Sequence, residues 1–120
     1  MELKMKRIYE SPAEADCFRI LVDRLWPRGV KKEVAQLDAW LKESAPSPDL
    51  RKWFDHDPEK FDVFKECYEE ELLTNDKTAA AVAEILKQLE ATDVTLVYAA
   101  RDPEINHVVV LRDFVESQRK

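Results

Sequence analysis

Glycine occurs once among the 120 residues, at Gly29. Only there can the chain take a positive φ without steric cost, so its other turns have to be built from Pro, Asp, Asn and Ser. The same scarcity excludes a glycine-rich phosphate loop. Six prolines supply the punctuation, and four of them follow Ser or Asp: Ser11-Pro12, Ser47-Pro48, Asp57-Pro58 and Asp102-Pro103. Ser or Asp at an N-cap with Pro in the first turn is a helix-start signal. Glu59 and Glu104 each add a carboxylate near the positive end of the helix dipole. Ser11 and Glu14 have capping-box spacing.

Between these signals the apolar pattern predicts strands at residues 5–9, 18–25 and 94–100. Leu21-Val22 in the second implies burial on both faces, as in parallel or mixed sheets. Helical periodicity predicts helices over 33–43 (Val34, Leu37, Trp40, Leu41), 48–54 (Leu50, Trp53, Phe54), 59–73, 77–90 and 103–118. Short strands separated by helices give an α/β layered domain over residues 1–120. It is expected to hold a small parallel or mixed sheet of three or more strands, covered by about five helices. Helices fill the crossover between the second and third predicted strands, which makes their parallel pairing plausible. Strand order is open.

A chain this long folds without staples, burying roughly two-thirds of the surface its unfolded form exposes. The two cysteines, Cys17 and Cys67, make no disulfide framework and no Cys-x-x-Cys pair, so they read as reduced thiols of a cytoplasmic protein. Cys67, inside an apolar helical pattern, reads as packing. No apolar stretch resembles a signal peptide or a membrane span. The net charge of −6 argues against nucleic acid and anionic membranes as partners. Two histidines and no thiolate cluster leave no expected metal site; in Asp55-His56-Asp57 neighbouring side chains diverge, and Asp57 serves as a cap. No cofactor motif and no serine or cysteine nucleophile motif is present.

In open α/β sheets ligands bind beyond the carboxyl ends of the strands. Two such ends are chemically dense. Asp23-Arg24-Leu25-Trp26-Pro27-Arg28-Gly29 packs two guanidinium forks, which match carboxylate or phosphate and stack on indole, into one turn. The same run also reads as a structural turn, with Asp23 pairing an arginine and Trp26 plugging the core. The second end is Tyr98-Ala99-Ala100-Arg101-Asp102 before a predicted helix N-terminus, with Asn106 and His107 in its early turns. Asp102 as a simple cap and His107 as a packed histidine are the plain alternatives.

Those segments resemble a known family. Residues 19–29, Leu37-Asp38-Ala39-Trp40-Leu41-Lys42, Ala45-Pro46-Ser47, Leu50-Arg51-Lys52-Trp53-Phe54, His56-Asp57-Pro58, and Leu96 to Asp102 with Asn106-His107 look like the hallmarks of YeaO-like proteins. These are a branch of DUF488, a larger family of domains of unknown function. The resemblance covers nearly the whole chain and implies a small bacterial or archaeal cytosolic protein without an established activity. Other branches carry a cysteine after the last strand and a Cys-His pair on the next helix. Here those positions look like Tyr98 and Asn106-His107, so a thiol-dependent role does not carry over.

Two functional readings follow. In the first, a small anionic ligand, phosphate or carboxylate, sits at the carboxyl edge of the sheet. Asp23, Arg24, Trp26, Arg28, Tyr98, Arg101 and Asn106 would bind it, and His107, titrating near neutrality, is the candidate acid or base. In the second, Trp40, Trp53 and Phe54 form a surface for a protein partner or a homodimer, against the competing reading that they are core. The oligomeric state is open, and whether the protein is an enzyme is open with it.

Overall fold

The structure, a computed structural model, describes residues 1–119. Strands β1 (Leu3–Arg7), β2 (Phe18–Leu21), β3 (Ala39–Trp40) and β4 (Val94–Tyr98) form one sheet in the order β1-β4-β2-β3. All three pairings are parallel. The domain is therefore α/β, and the expected pairing of the two longest apolar runs is its centre. Helices α1 (Lys32–Ala35), α2 (Pro48–Phe54), α3 (Phe61–Thr74), α4 (Asp76–Leu89) and α5 (His107–Gln118) complete it. No helix among the described residues is long and apolar enough to cross a membrane.

Alternation along the central strands decides which side each residue serves. Ile20 and Val22 from β2 and its extension, with Val94, Leu96 and Tyr98 of β4, face the main core built by α2 to α5. Phe54, Phe64, Tyr68, Leu72, Ile85 and Leu111 fill that core. Leu21 and Val97 face the other way, into a smaller cluster with Ile8, Ala35, Trp26 and Trp40. Burial of both faces is why Leu21-Val22 reads as an unbroken apolar pair.

The thinly covered second face is tied down by charge. Asp16 accepts from Lys6 Nζ (3.1 Å), from Arg19 Nη1 (2.6 Å) and from the Ala13 amide (3.0 Å). Arg19, almost fully buried, also donates twice to the Ala35 carbonyl, at 3.2 and 2.9 Å. Thr95, its neighbour on β4, donates to the Asp16 carbonyl at 2.8 Å.

Several expected boundaries move. Residues 33–43 do not form one helix: α1 ends at Ala35, Gln36 turns left-handed (φ 47°), and Ala39–Trp40 joins the sheet as β3. Arg19 gives the reason. Its guanidinium takes the Ala35 carbonyl, its backbone amide donates to Asp38 Oδ2 at 2.8 Å, and its carbonyl accepts from the Asp38 amide. Pairing with β2 outweighs helical periodicity. The capping box at Ser11 does not form either; Asp16 closes that 3-10 turn onto Ala13 instead. Cys67 is exposed, not packed. The last helix starts at His107 rather than 103, for a reason that lies in the site.

Candidate functional site

The carboxyl ends of β2 and β4 lie side by side; a carboxylate from beyond β2 holds the chain after β4, and an imidazole from beyond β4 holds the end of β2. Asp23 leaves β2 and its Oδ2 accepts from the Ala99 amide at 2.9 Å. Arg7 grips the same post-β4 segment from the far side, donating to the carbonyls of Ala100 (2.8 Å) and Ala99 (3.3 Å). His107 at the start of α5 places Nε2 at 3.0 Å from the Val22 carbonyl and 3.5 Å from Asp23 Oδ1. A carbonyl can only accept, so Nε2 carries a proton. Burial pushes the His107 imidazole below its ordinary 6.5, against the pull of Asp23 and the Val22 carbonyl. Burial likewise raises the Asp23 carboxyl, opposed by His107 and the Ala99 amide, with Arg51 and His56 adding smaller pulls. Both groups are thus biased toward their neutral forms.

Above this floor opens a broad cleft of about 1300 Å³. Its walls are the turn after β2, the loop into α2, α2 itself with the turn that follows, and the segment between β4 and α5. Both histidines of the chain line it. Arg51 and Lys52 reach it from α2, and Arg101 from the segment after β4; all three are exposed, and their side chains make no hydrogen bond or ion pair among the described residues. No serine, threonine, cysteine or tyrosine is among the described residues lining it.

Of the residues expected at the site, Asp23, Arg24, Trp26, Arg101, Asn106 and His107 line this cleft. Arg24 is occupied, donating to the carbonyls of Pro46 and Ala45 (3.2 Å each) and to Glu43 (3.4 Å). It clamps the loop that forms one wall. Trp26 donates Nε1–H to the Val30 carbonyl at 2.8 Å and meets Trp40 edge-on, with centroids 5.5 Å apart. Asn106 is buried as the N-cap of α5: Oδ1 accepts from Val108 and Val109, and Nδ2 donates to the Asp102 carbonyl. Asp102 instead caps the amides of Glu104 and Ile105 in the preceding turn. The helix therefore begins four residues later than Asp102-Pro103 implied, and its first amides already have a partner. Arg28 does not line the cleft; it is exposed, and its carbonyl accepts from Tyr9. Tyr98 is outside too, in the main core.

Sequence reasoning missed Arg51 and Lys52, and set His56 aside. The helix carrying the cations was predicted at its observed bounds, with Ser47 accepting from the Leu50 amide as expected. Nothing local said that its polar face borders β2 and β4. After it, Asp55 and His56 are consecutive left-handed residues (φ 45° and 56°) in a stretch without glycine. Such residues are uncommon outside glycine, and nothing in Asp55-His56-Asp57 marks the pair in the sequence. The aromatic trio disperses: Phe54 is buried and stacks on Phe64, Trp40 is half-buried with Nε1–H on the Asp23 carbonyl, and Trp53 alone is exposed, under Lys60.

The family model described as the inactive DUF488-N3 subclade matches residues 2–120. The chain belongs to the YeaO-like branch of the DUF488 family. It is 40% identical to the uncharacterized protein YeaO of Escherichia coli K12 over 117 residues, 98% of this chain and 99% of that one. It is 38% identical to the uncharacterized proteins Mb3100c of Mycobacterium bovis and Rv3073c of Mycobacterium tuberculosis H37Rv over 116 residues, 97% of this chain and 95% of each. No solved structure matches the chain significantly. The family supplies no activity; the cleft has to be read from its own chemistry.

Proposed function

We propose that the cleft binds a small organic ligand through an acidic group, phosphate or carboxylate, without covalent catalysis. The observation that carries this is the convergence of Arg51, Lys52 and Arg101, each without an internal partner, around one cavity at the carboxyl edge of the sheet. Arginine forks without internal carboxylates are available for planar bidentate recognition. The lack of a hydroxyl or thiol among the described lining residues weighs against a covalent intermediate of the serine or cysteine type. His107 spends its Nε2–H on the Val22 carbonyl, which favours a holding part over proton transfer. The family description as inactive agrees with a binding rather than a catalytic part.

A thermal-shift screen against phosphorylated and carboxylated metabolites tests this, because a ligand of the native state raises its apparent stability by about 2.7 kcal/mol at a hundred times Kd. The reading expects a hit lost in Arg51→Ala and weakened in Arg101→Ala, and kept in Arg28→Ala, whose side chain lies outside the cleft. A hit untouched by the first two, or lost only in the third, would place the ligand elsewhere.

A further inference from the structure

The floor of the cleft holds a carboxylate with one oxygen to spare. Asp23 Oδ2 has the Ala99 amide. Oδ1 has only His107 Nε2 at 3.5 Å, and that N–H is directed at the Val22 carbonyl at 3.0 Å. That oxygen is not sealed from water, so it faces the cleft as an acceptor open to a ligand's donor. A ligand that is only an anion does not use it. It brings a second negative charge toward Asp23 and toward Asp49 and Asp55, which flank the same cleft from α2 and its C-terminal turn and are without partners among the described residues. With Arg24 and Asp102 also on the lining, four basic and four acidic side chains border this cleft and leave it without a marked excess of either sign. A simple anion would find no net attracting field there.

We infer that the ligand is two-headed, with an acidic group met by Arg51 and Arg101 and an amine that donates to Asp23 Oδ1. An amino acid or a phosphorylated amino alcohol has this chemistry. The inference rests on the acid-binding reading and adds the second head. Arg51 and Asp23 line the same cleft, so one ligand can reach both. Leu25, Phe54 and Ile105 give the remaining wall an apolar lining for a side chain or body between or beyond the heads.

The test uses matched halves. Calorimetric titrations of the whole protein at neutral pH would compare L-phenylalanine with 3-phenylpropionate and phenethylamine, and O-phosphoethanolamine with inorganic phosphate and ethanolamine. The first set asks for carboxylate and the second for phosphate. At least one two-headed parent is expected to bind ten or more times tighter than either of its halves. In Asp23→Asn that parent should fall to the affinity of its acid half, while the asparagine oxygen still accepts from Ala99 and keeps the fold. In Arg51→Gln, on an exposed helix face, parent and acid half should weaken together. Acid halves that bind as well as their parents overturn the two-headed ligand and leave acid binding standing. Amine halves that bind as well as their parents, with Arg51→Gln silent, overturn acid binding itself. Binding by no probe overturns both. Should Asp23→Asn fail to fold, the comparison of halves on the native protein still decides.

Discussion

Replacing Arg24 should unsettle the fold more than any other change to a charged residue of the cleft. Sequence reasoning treats this arginine as a ligand group, whereas the structure makes it the clamp of the loop from Glu43 to Pro46. Arg24→Ala strips partners from the carbonyls of Ala45 and Pro46, which belong to buried residues. A buried acceptor left unpaired costs about 1–3 kcal/mol. Water entering from the adjoining cleft would recover part of this. The contact to Glu43, whose side chain is 44% exposed, adds about 0–1 kcal/mol. Two acceptors, each rehydrated toward the low end of their range, and the Glu43 contact together come to about 2–4 kcal/mol. At about 4 °C per kcal/mol for a chain of this size, Tm should fall by roughly 8–16 °C. Arg24→Lys keeps the charge but not the fork, and should lose about half as much. Urea unfolding followed by circular dichroism measures all of this, with Arg101→Ala as the comparison, expected within about 0.5 kcal/mol of the native chain. An Arg24→Ala protein as stable as Arg101→Ala would refute the clamp.

Asp16→Ala leaves Arg19 buried without its carboxylate and should cost about 3–5 kcal/mol in urea unfolding, because an uncompensated buried charge is the dominant penalty. The Asp16 carboxyl is held below its ordinary 3.8: burial alone would raise it, but hydrogen bonds from Lys6, Ala13 and Arg19 prevail. Its stabilising part is therefore complete above pH 3.8 and lost as pH falls through the lower folded value. His107 has a depressed folded value, so stability should decline as pH drops below 6.5, and His107→Gln, which still donates to the Val22 carbonyl, should flatten that slope in unfolding measured from pH 5 to 8, at about pH 5–8 being where a free imidazole titrates. Gln36→Gly relieves a left-handed residue just past α1 on the surface and should raise stability by about 0.5–1 kcal/mol; a loss would show that the Gln36 side chain serves a contact.

Where neighbouring residues alone decide the structure, the sequence is readable. Ser47-Pro48 caps α2 as its spacing implies, and α3 and α4 fall within a few residues of their periodic patterns, separated by the Asn75 cap. Leu21-Val22 and Val94 to Tyr98 meet as the parallel pair at the centre of the sheet. The readings fail where a distant side chain settles a local choice. Val34, Leu37, Trp40 and Leu41 have helical spacing, yet Arg19 ends that helix and Leu37 and Trp40 pack under the second face. Asp102-Pro103 is a sound helix start, but Asn106, buried and bonded to two amides, is the better cap. The site follows the same rule. Asp23, Arg101 and His107 are legible because strand ends in an α/β sheet converge. Arg51 and His56 are not, because their place depends on how α2 docks.

The central claim is that the carboxyl-edge cleft is the ligand site, and backbone amide shifts in a 1H–15N correlation spectrum test it most directly. Titrating the tightest-binding acid into the labelled protein should move the amides of Ala99, Arg101, His107, Arg51 and His56 together and saturably. Shifts gathered instead around Arg19 and Asp38, which border a separate cleft of about 510 Å³ at the opposite end of β2, or spread over the surface without saturation, would contradict it.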